Sequence, residues 1–162
     1  MEIKELIEKI RNTPDCIVHA PCGLPLENQN IDLPNDLKEF YENCGGITLF
    51  ANEEYGFTIV APKEMVLANP IIVGELCEED ISSEWYIVCK NAENDYITID
   101  LANERKGKCY DSFWDRHGVV GECAVVARNF TELLTQLYNN QGKSLFWLDE
   151  DFCYLGDAYD GV

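Results

Sequence analysis

His117 is the residue best placed to do chemistry, in the run Asp115-Arg116-His117-Gly118 with Asp111 just upstream. An imidazole held by Asp115 or Asp111 is the arrangement of a general base in a hydrolase. A surface or hydrogen-bonded loop histidine is the competing reading of the same residues. Cys44, before Gly45-Gly46, falls at the expected end of a helix. There the helix dipole raises a thiol pKa, which argues against a nucleophile. The other cysteines, Cys16, Cys22, Cys77, Cys89, Cys109, Cys123 and Cys153, are spread singly with no CxxC pair. With only His19 and His117 as imidazole donors, no metal site is expected. Cys89 and Cys123 sit in apolar runs, so free buried thiols are expected. Asp95–Asp100 lacks the glycine and the spaced oxygens of a calcium loop. No phosphate-binding, zinc-protease or nucleophile-elbow motif occurs. The chain therefore reads as a binding protein without catalytic residues or cofactor.

Charge says what it would bind. Thirty Asp and Glu stand against twelve Lys and Arg, a net charge of -18 on 162 residues. Solubility of a small domain needs roughly 2 to 8 charges. The excess repels nucleic acid and anionic membrane and favours a basic protein partner. A general solubility bias is the alternative. Hydrophobic residues still make up 46%, enough for a self-sufficient core in one domain, residues 1–162. No apolar run approaches the ~18 residues of a membrane span. Met1-Glu2-Ile3-Lys4-Glu5-Leu6 does not look like a secretion signal, so a cytoplasmic location is expected.

The elements follow from periodicity. Ile3, Leu6, Ile7 and Ile10 share one helical stripe, predicting a helix over 2–12. Pro34 opens a second over 34–44, with Leu37, Phe40 and Tyr41 inward and Gly45-Gly46 as its C-cap. The period then falls to two. Strands are expected at Ile47–Ala51, Tyr55–Val60, Trp85–Cys89, Tyr96–Leu101 and Gly107–Tyr110, with Glu122–Ala127 a strand or an approach to the next helix. Pro70–Val73 reads as extended, Asp111–Gly118 as a polar loop, and 129–140 as a last helix with Phe130, Leu133, Leu134 and Leu137 inward. The fold class is α+β, a largely antiparallel sheet of about five or six strands flanked by helices.

Several of these residues resemble the SUKH superfamily, which includes fungal cell-wall-synthesis regulators and many bacterial immunity proteins. Leu33-Pro34, Leu37, Phe40-Tyr41 and Cys44-Gly45-Gly46 look like its opening signature. Trp85–Val88, Tyr96–Leu101, Gly107–Asp111 and Ala127–Leu134 resemble its central strands and closing helix. The resemblance covers about 3–138. Residues 141–162 form an acidic, aromatic extension outside it. The motif residues Leu33, Pro34, Leu37, Phe40, Tyr41, Gly45 and Gly46 read as structural.

The resemblance implies a non-enzymatic immunity protein that neutralises a cognate bacterial toxin. The acidity adds that the toxin is basic, as a nuclease must be. A cytosolic acidic regulatory module is the alternative, and a hydrolase using His117 a remote one. The expected contact residues are the acidic runs with their aromatics. One is Glu75, Glu78, Glu79, Asp80 and Glu84 with Trp85; the other is Asp149, Glu150 and Asp151 with Trp147 and Tyr154. A solvated face packed on core aromatics is the alternative for both.

Overall fold

The computed structural model describes residues 1–162. Four helices flank one sheet: α1 (Ile3–Arg11), α2 (Asn35–Asn43), α3 (Ala68–Ile72) and α4 (Phe130–Asn140). The strands are β1 (Cys16–Val18), β2 (Ile47–Leu49), β3 (Phe57–Ile59), β4 (Trp85–Lys90), β5 (Tyr96–Asp100), β6 (Cys109–Ser112) and β7 (Val125–Ala127). They form a single antiparallel meander in chain order. The sheet has seven strands where about five or six were expected. The surplus lies at its two edges: β1 leads straight into the Pro21, Gly23 and Pro25 loop, and β7 is buried at all three positions and so shows no alternation.

Side chains alternate across the sheet, as a pleated strand requires. On β5, Ile97 and Ile99 enter the main core with Cys89 and Cys109 of the neighbouring strands, beneath α1, α2 and α4. Thr98 and Asp100 are buried on the opposite face, where Trp85, Tyr110, Cys123, Val125 and Ala158 make a second, smaller core. Segments from the second half of the chain cover this second face. Cys123 and Ala158 belong to them, and Tyr159 packs there with its ring 6.0 Å from that of Trp85.

The helical layer is locked by aromatics and caps. The rings of Phe40 and Phe130 meet edge-on at 4.9 Å. Asp36, in the first turn of α2, accepts hydrogen bonds from the backbone N–H and hydroxyl of Thr131 at the start of α4. Asn129 caps α4 through Glu132 N–H. The Tyr41 hydroxyl donates to the Val60 carbonyl at 2.7 Å, fixing α2 to the strand layer.

Gly45-Gly46 has a different role from the helix cap expected. α2 ends on Cys44 in extended backbone. A Cβ at Gly45 would collide with the Ala20 carbonyl, and one at Gly46, whose φ is +116, would stand 2.7 Å from the Ile59 carbonyl. The pair lets two backbones approach, and glycine alone allows that. Pro70–Val73 is also corrected, since Pro70 lies in the first turn of α3, where its missing N–H leaves no bond unmade. Asp111 and Ser112, expected in a loop, belong to β6 and are buried.

Residues 141–162 fold back on the rest of the chain. Phe146 and Trp147 are buried in a 3-10 turn, Phe146–Leu148. The Trp147 indole N–H donates to Asp111 at 3.0 Å. Val125 N–H bonds to the Gly156 carbonyl and Ala158 N–H to that of Cys123, placing the tail beside β7. The outer edge of β7 therefore does not stand open as a pairing template.

Candidate partner-binding surface

The structure separates the expected contact residues into surface and interior. Trp85 is 0% exposed and Trp147 5% exposed. Neither can offer its ring to a partner, and both are corrected to core residues. Trp85 faces Tyr110 at 4.4 Å between ring centres, and Trp147 is tied to Asp111. Asp80 is also removed from the free acids. Its carboxylate accepts hydrogen bonds from Ser82 N–H, the Ser82 hydroxyl and the Tyr159 hydroxyl, the last at 2.8 Å. Burial pushes the Asp80 carboxyl up, but these hydrogen bonds outweigh it and hold the group below its ordinary value.

Glu75, Glu78, Glu79 and Glu84 remain exposed, and none of them is in an ion pair. Glu75, Glu78 and Glu79 adjoin in sequence a strip of apolar side chains that belongs to no core, while Glu84 lines a separate cavity with Asp32 and Lys106. Val66 is 38% exposed, Ile71 55%, Val73 51% and Leu76 48%. The strip runs from Val66, ahead of α3, through Ile71 on it to Val73 and Leu76 at its exit. Val73 and Gly74 N–H groups both close onto the Asn69 carbonyl, ending the helix and sending the chain outward.

A buried polar chain supports this segment from below. Asn69 donates its side-chain N–H groups to Ser82 Oγ at 3.0 Å and to the Leu76 carbonyl at 3.2 Å. Its Oδ1 accepts from His117 Nε2 at 2.6 Å. His117, Asn69, Ser82, Asp80 and Tyr159 thus connect the 113–121 loop, α3, the 3-10 turn Ile81–Glu84 and the C-terminal tail. A surface held this way loses little conformational freedom on binding.

This geometry also settles what His117 does. The residue is buried, its ring 5.6 Å edge-on from Trp85. Burial pushes its pKa down to about 4, against a smaller opposing pull from the Asp80 charge. It is a neutral donor to Asn69 and no general base. Asp111, its expected carboxylate partner, is instead 2.8 Å from Arg116 and bonded to Trp147, and Asp115 is exposed. Burial raises the Asp111 pKa, partly offset by Phe113 N–H, Arg116 and Trp147.

The thiols are free, as expected, but only Cys44, Cys89, Cys109 and Cys123 are buried. Burial lifts Cys44 and Cys123 to about 11. Cys22 and Cys153 are exposed, and Cys16 and Cys77 lie between. No group of three or more His, Cys, Asp or Glu side chains is placed to hold a metal ion. No helix is long and apolar enough to cross a membrane.

The second acidic run differs from the first. Asp149, Glu150, Asp151 and Tyr154 are exposed, beside a groove of about 620 Å³ between α4 and the tail. Arg128 and Lys143 line that groove together with Glu132, Asp149 and Asp151, and Arg128 is paired with Glu132, which leaves Lys143 against two acids. Ser144 Oγ–H donates to Asp149 at 2.8 Å. The exposed aliphatic side chains of the first run, and the unpaired Lys143 beside the second, favour the first as the surface for a basic partner.

Sequence reasoning missed Trp114, the exposed tryptophan of the three at 79%. Its backbone N–H donates to Asp95, next to Tyr96. Its signal was the polar run Asp115-Arg116 that follows it, which marks a loop and not a strand.

Comparison with known proteins gives two matches. The sequence model of the SMI1 / KNR4 family (SUKH-1) matches residues 27–136. "Immunity protein YokJ" of Bacillus subtilis (strain 168) is 57% identical over 162 residues, covering 100% of this chain and 98% of that protein.

Proposed function

The chain belongs to the SMI1 / KNR4 family (SUKH-1), and we propose that it is an immunity protein, which binds a cognate bacterial toxin and blocks it without catalysis. The observation that carries this reading is the 57% identity, end to end, with a protein named for immunity. The buried, neutral His117 agrees with action by binding alone.

The toxin is a basic protein. At -18, this chain gains association rate from long-range attraction to a positive partner, and its acids can stand in for the phosphates that a nuclease groove holds. Nucleic acid and anionic membrane are repelled by the same field. The encounter takes place in the cytoplasm, where a nuclease would reach its substrate. Glu75, Glu78, Glu79 and Glu84 are the leading contact residues, followed by Asp149, Glu150, Asp151 and Tyr154. Residues 1–162 act as one domain, with 141–162 as an integral part of it.

Co-expression tests the reading. If the gene beside this chain's encodes a toxic domain, cells producing that domain should grow when the chain is present and die when it is absent; a neighbour with no such domain would count against immunity. No rescue, with both proteins soluble, would overturn immunity. Binding without rescue would point to the regulatory module instead.

A further inference from the structure

We infer that the apolar ridge of Val66 and Ile71, continued by Val73 and Leu76, is the hydrophobic centre of the toxin interface, inserting between apolar side chains that the partner carries within a basic surround. This rests on the immunity reading and goes beyond it by assigning the surface. Two cavities flank the ridge, of about 300 and 230 Å³, and Val66 and Ile71 line both. Leu26, Leu67, Pro70 and Tyr86 with Gln29 also line the first, and Val60, Ile87 and Tyr96 with Lys63, Glu64, Lys90 and Asn94 the second. A ridge between two grooves, the first mostly apolar and the second apolar with a charged side, is a shape that interdigitates with another surface. An exposed apolar patch rimmed by polar groups is the usual mark of a protein contact.

The rim identifies the occupant. Glu75, Glu78 and Glu79 follow the ridge in sequence with no ion-pair partner, while Lys90, which lines the second cavity, is tied to Glu64 at 2.6 Å. Lys63, in the second cavity, is the one cation there outside an ion pair. A second copy of this chain would bring its own -18 charge and the same acidic rim against this one. A basic partner instead gains from both the centre and the rim. The centre supplies slow dissociation through desolvated apolar contact, and the rim supplies steering.

The test uses the intact chain and the toxic domain encoded beside its gene, purified with its catalytic residue inactivated. Dissociation is followed by biolayer interferometry for the wild type, for Val66→Ser with Ile71→Ser, and for Ile17→Ser with Val162→Ser, two exposed apolar residues outside both acidic runs. The first pair should dissociate about ten-fold faster or more, and the second pair should match the wild type. Hydrogen exchange on the wild-type complex should slow at residues 64–80, which checks the assignment without any substitution. Wild-type binding unchanged by the ridge pair, or slowed exchange confined to 144–155, would overturn the ridge and leave immunity standing. A wild-type dimer that the ridge pair converts to monomer would assign the ridge to a second copy instead. No binding and no rescue by the wild type would overturn the immunity reading and this inference together.

Discussion

Reversing the acids beside α3, Glu75→Lys with Glu78→Lys and Glu79→Lys, should slow association with the toxin and leave the fold intact. Each change moves the local charge by two units, so the three shift the net charge from -18 to -12. One charge about 10 Å from a single partner charge is worth about 0.4 kcal/mol in water before screening. At about 0.1 M salt the Debye length is about 10 Å, which leaves about 0.15 kcal/mol per unit. Six units then amount to about 0.9 kcal/mol, an association about five times slower. At about 0.01 M salt the length is about 30 Å, the total about 1.8 kcal/mol and the slowing about 20-fold. Asp80 is left out of the variant because Ser82 and Tyr159 depend on its carboxylate. Stopped-flow association at the two salt concentrations reads the effect, and urea unfolding verifies the fold. An association rate indifferent to both salt and the reversal would show that this acidity is a solubility trait with no part in recognition here.

Asp80→Ala should cost about 1–3 kcal/mol of stability in urea, the usual price of stranding hydrogen-bond donors. Because its carboxyl is held below the ordinary value, Asp80 stabilises fully above the unfolded pKa of about 3.9 and less as pH falls through the lower folded value. His117 has the same sense for a base: with a folded pKa of about 4, stability should rise as the pH climbs from there to about 6.5. The gain is worth up to about 3 kcal/mol, and His117→Gln, which keeps a donor for Asn69, should flatten the urea midpoint across that range. Trp147→Ala should lose about 3–5 kcal/mol of stability yet leave the salt dependence of toxin association unchanged, measured below the variant's melting temperature. Acrylamide should quench one fluorescent class strongly, and Trp114→Phe should abolish it, since Trp85 and Trp147 are sealed.

Burial of the tryptophans shows what the sequence could and could not disclose. Trp85 opens the run Trp85-Tyr86-Ile87-Val88-Cys89, apolar at every position. Such a run belongs to a strand covered on both faces, so its burial was legible. Trp147 was not legible in this way. Its indole partner Asp111 lies 36 positions away, and the surrounding Leu148-Asp149-Glu150-Asp151 reads as surface. Asp80 fails for the same reason, because the Tyr159 hydroxyl that holds it is 79 positions distant. Helices α1, α2 and α4 were recovered within a residue or so because each is nine residues or longer with one apolar face. α3 has five residues, barely more than one turn, and its proline points equally to extended chain. The ridge it carries is therefore the part of the candidate site that only the folded chain displays.

The cations make the strongest case that the acidity is more than a solubility device. Arg105 lies 2.9 Å from buried Asp100, and Arg116 2.8 Å from buried Asp111. These are the places where an uncompensated charge would be most destabilising. Arg11, Lys90, Lys106 and Arg128 are engaged with Glu8, Glu64, Asp32 and Glu132. Half of the twelve Lys and Arg are thus committed to particular acids, while Glu75, Glu78 and Glu79 have none. Selection for solubility alone would account for unpaired surface acids. It would not keep Ile71, Val73 and Leu76 exposed beside them, because uncovered apolar groups work against solubility. Acids that attract and aliphatic groups that hold, on one segment braced by Asn69 and His117, make physical sense as a surface that is covered when the protein acts.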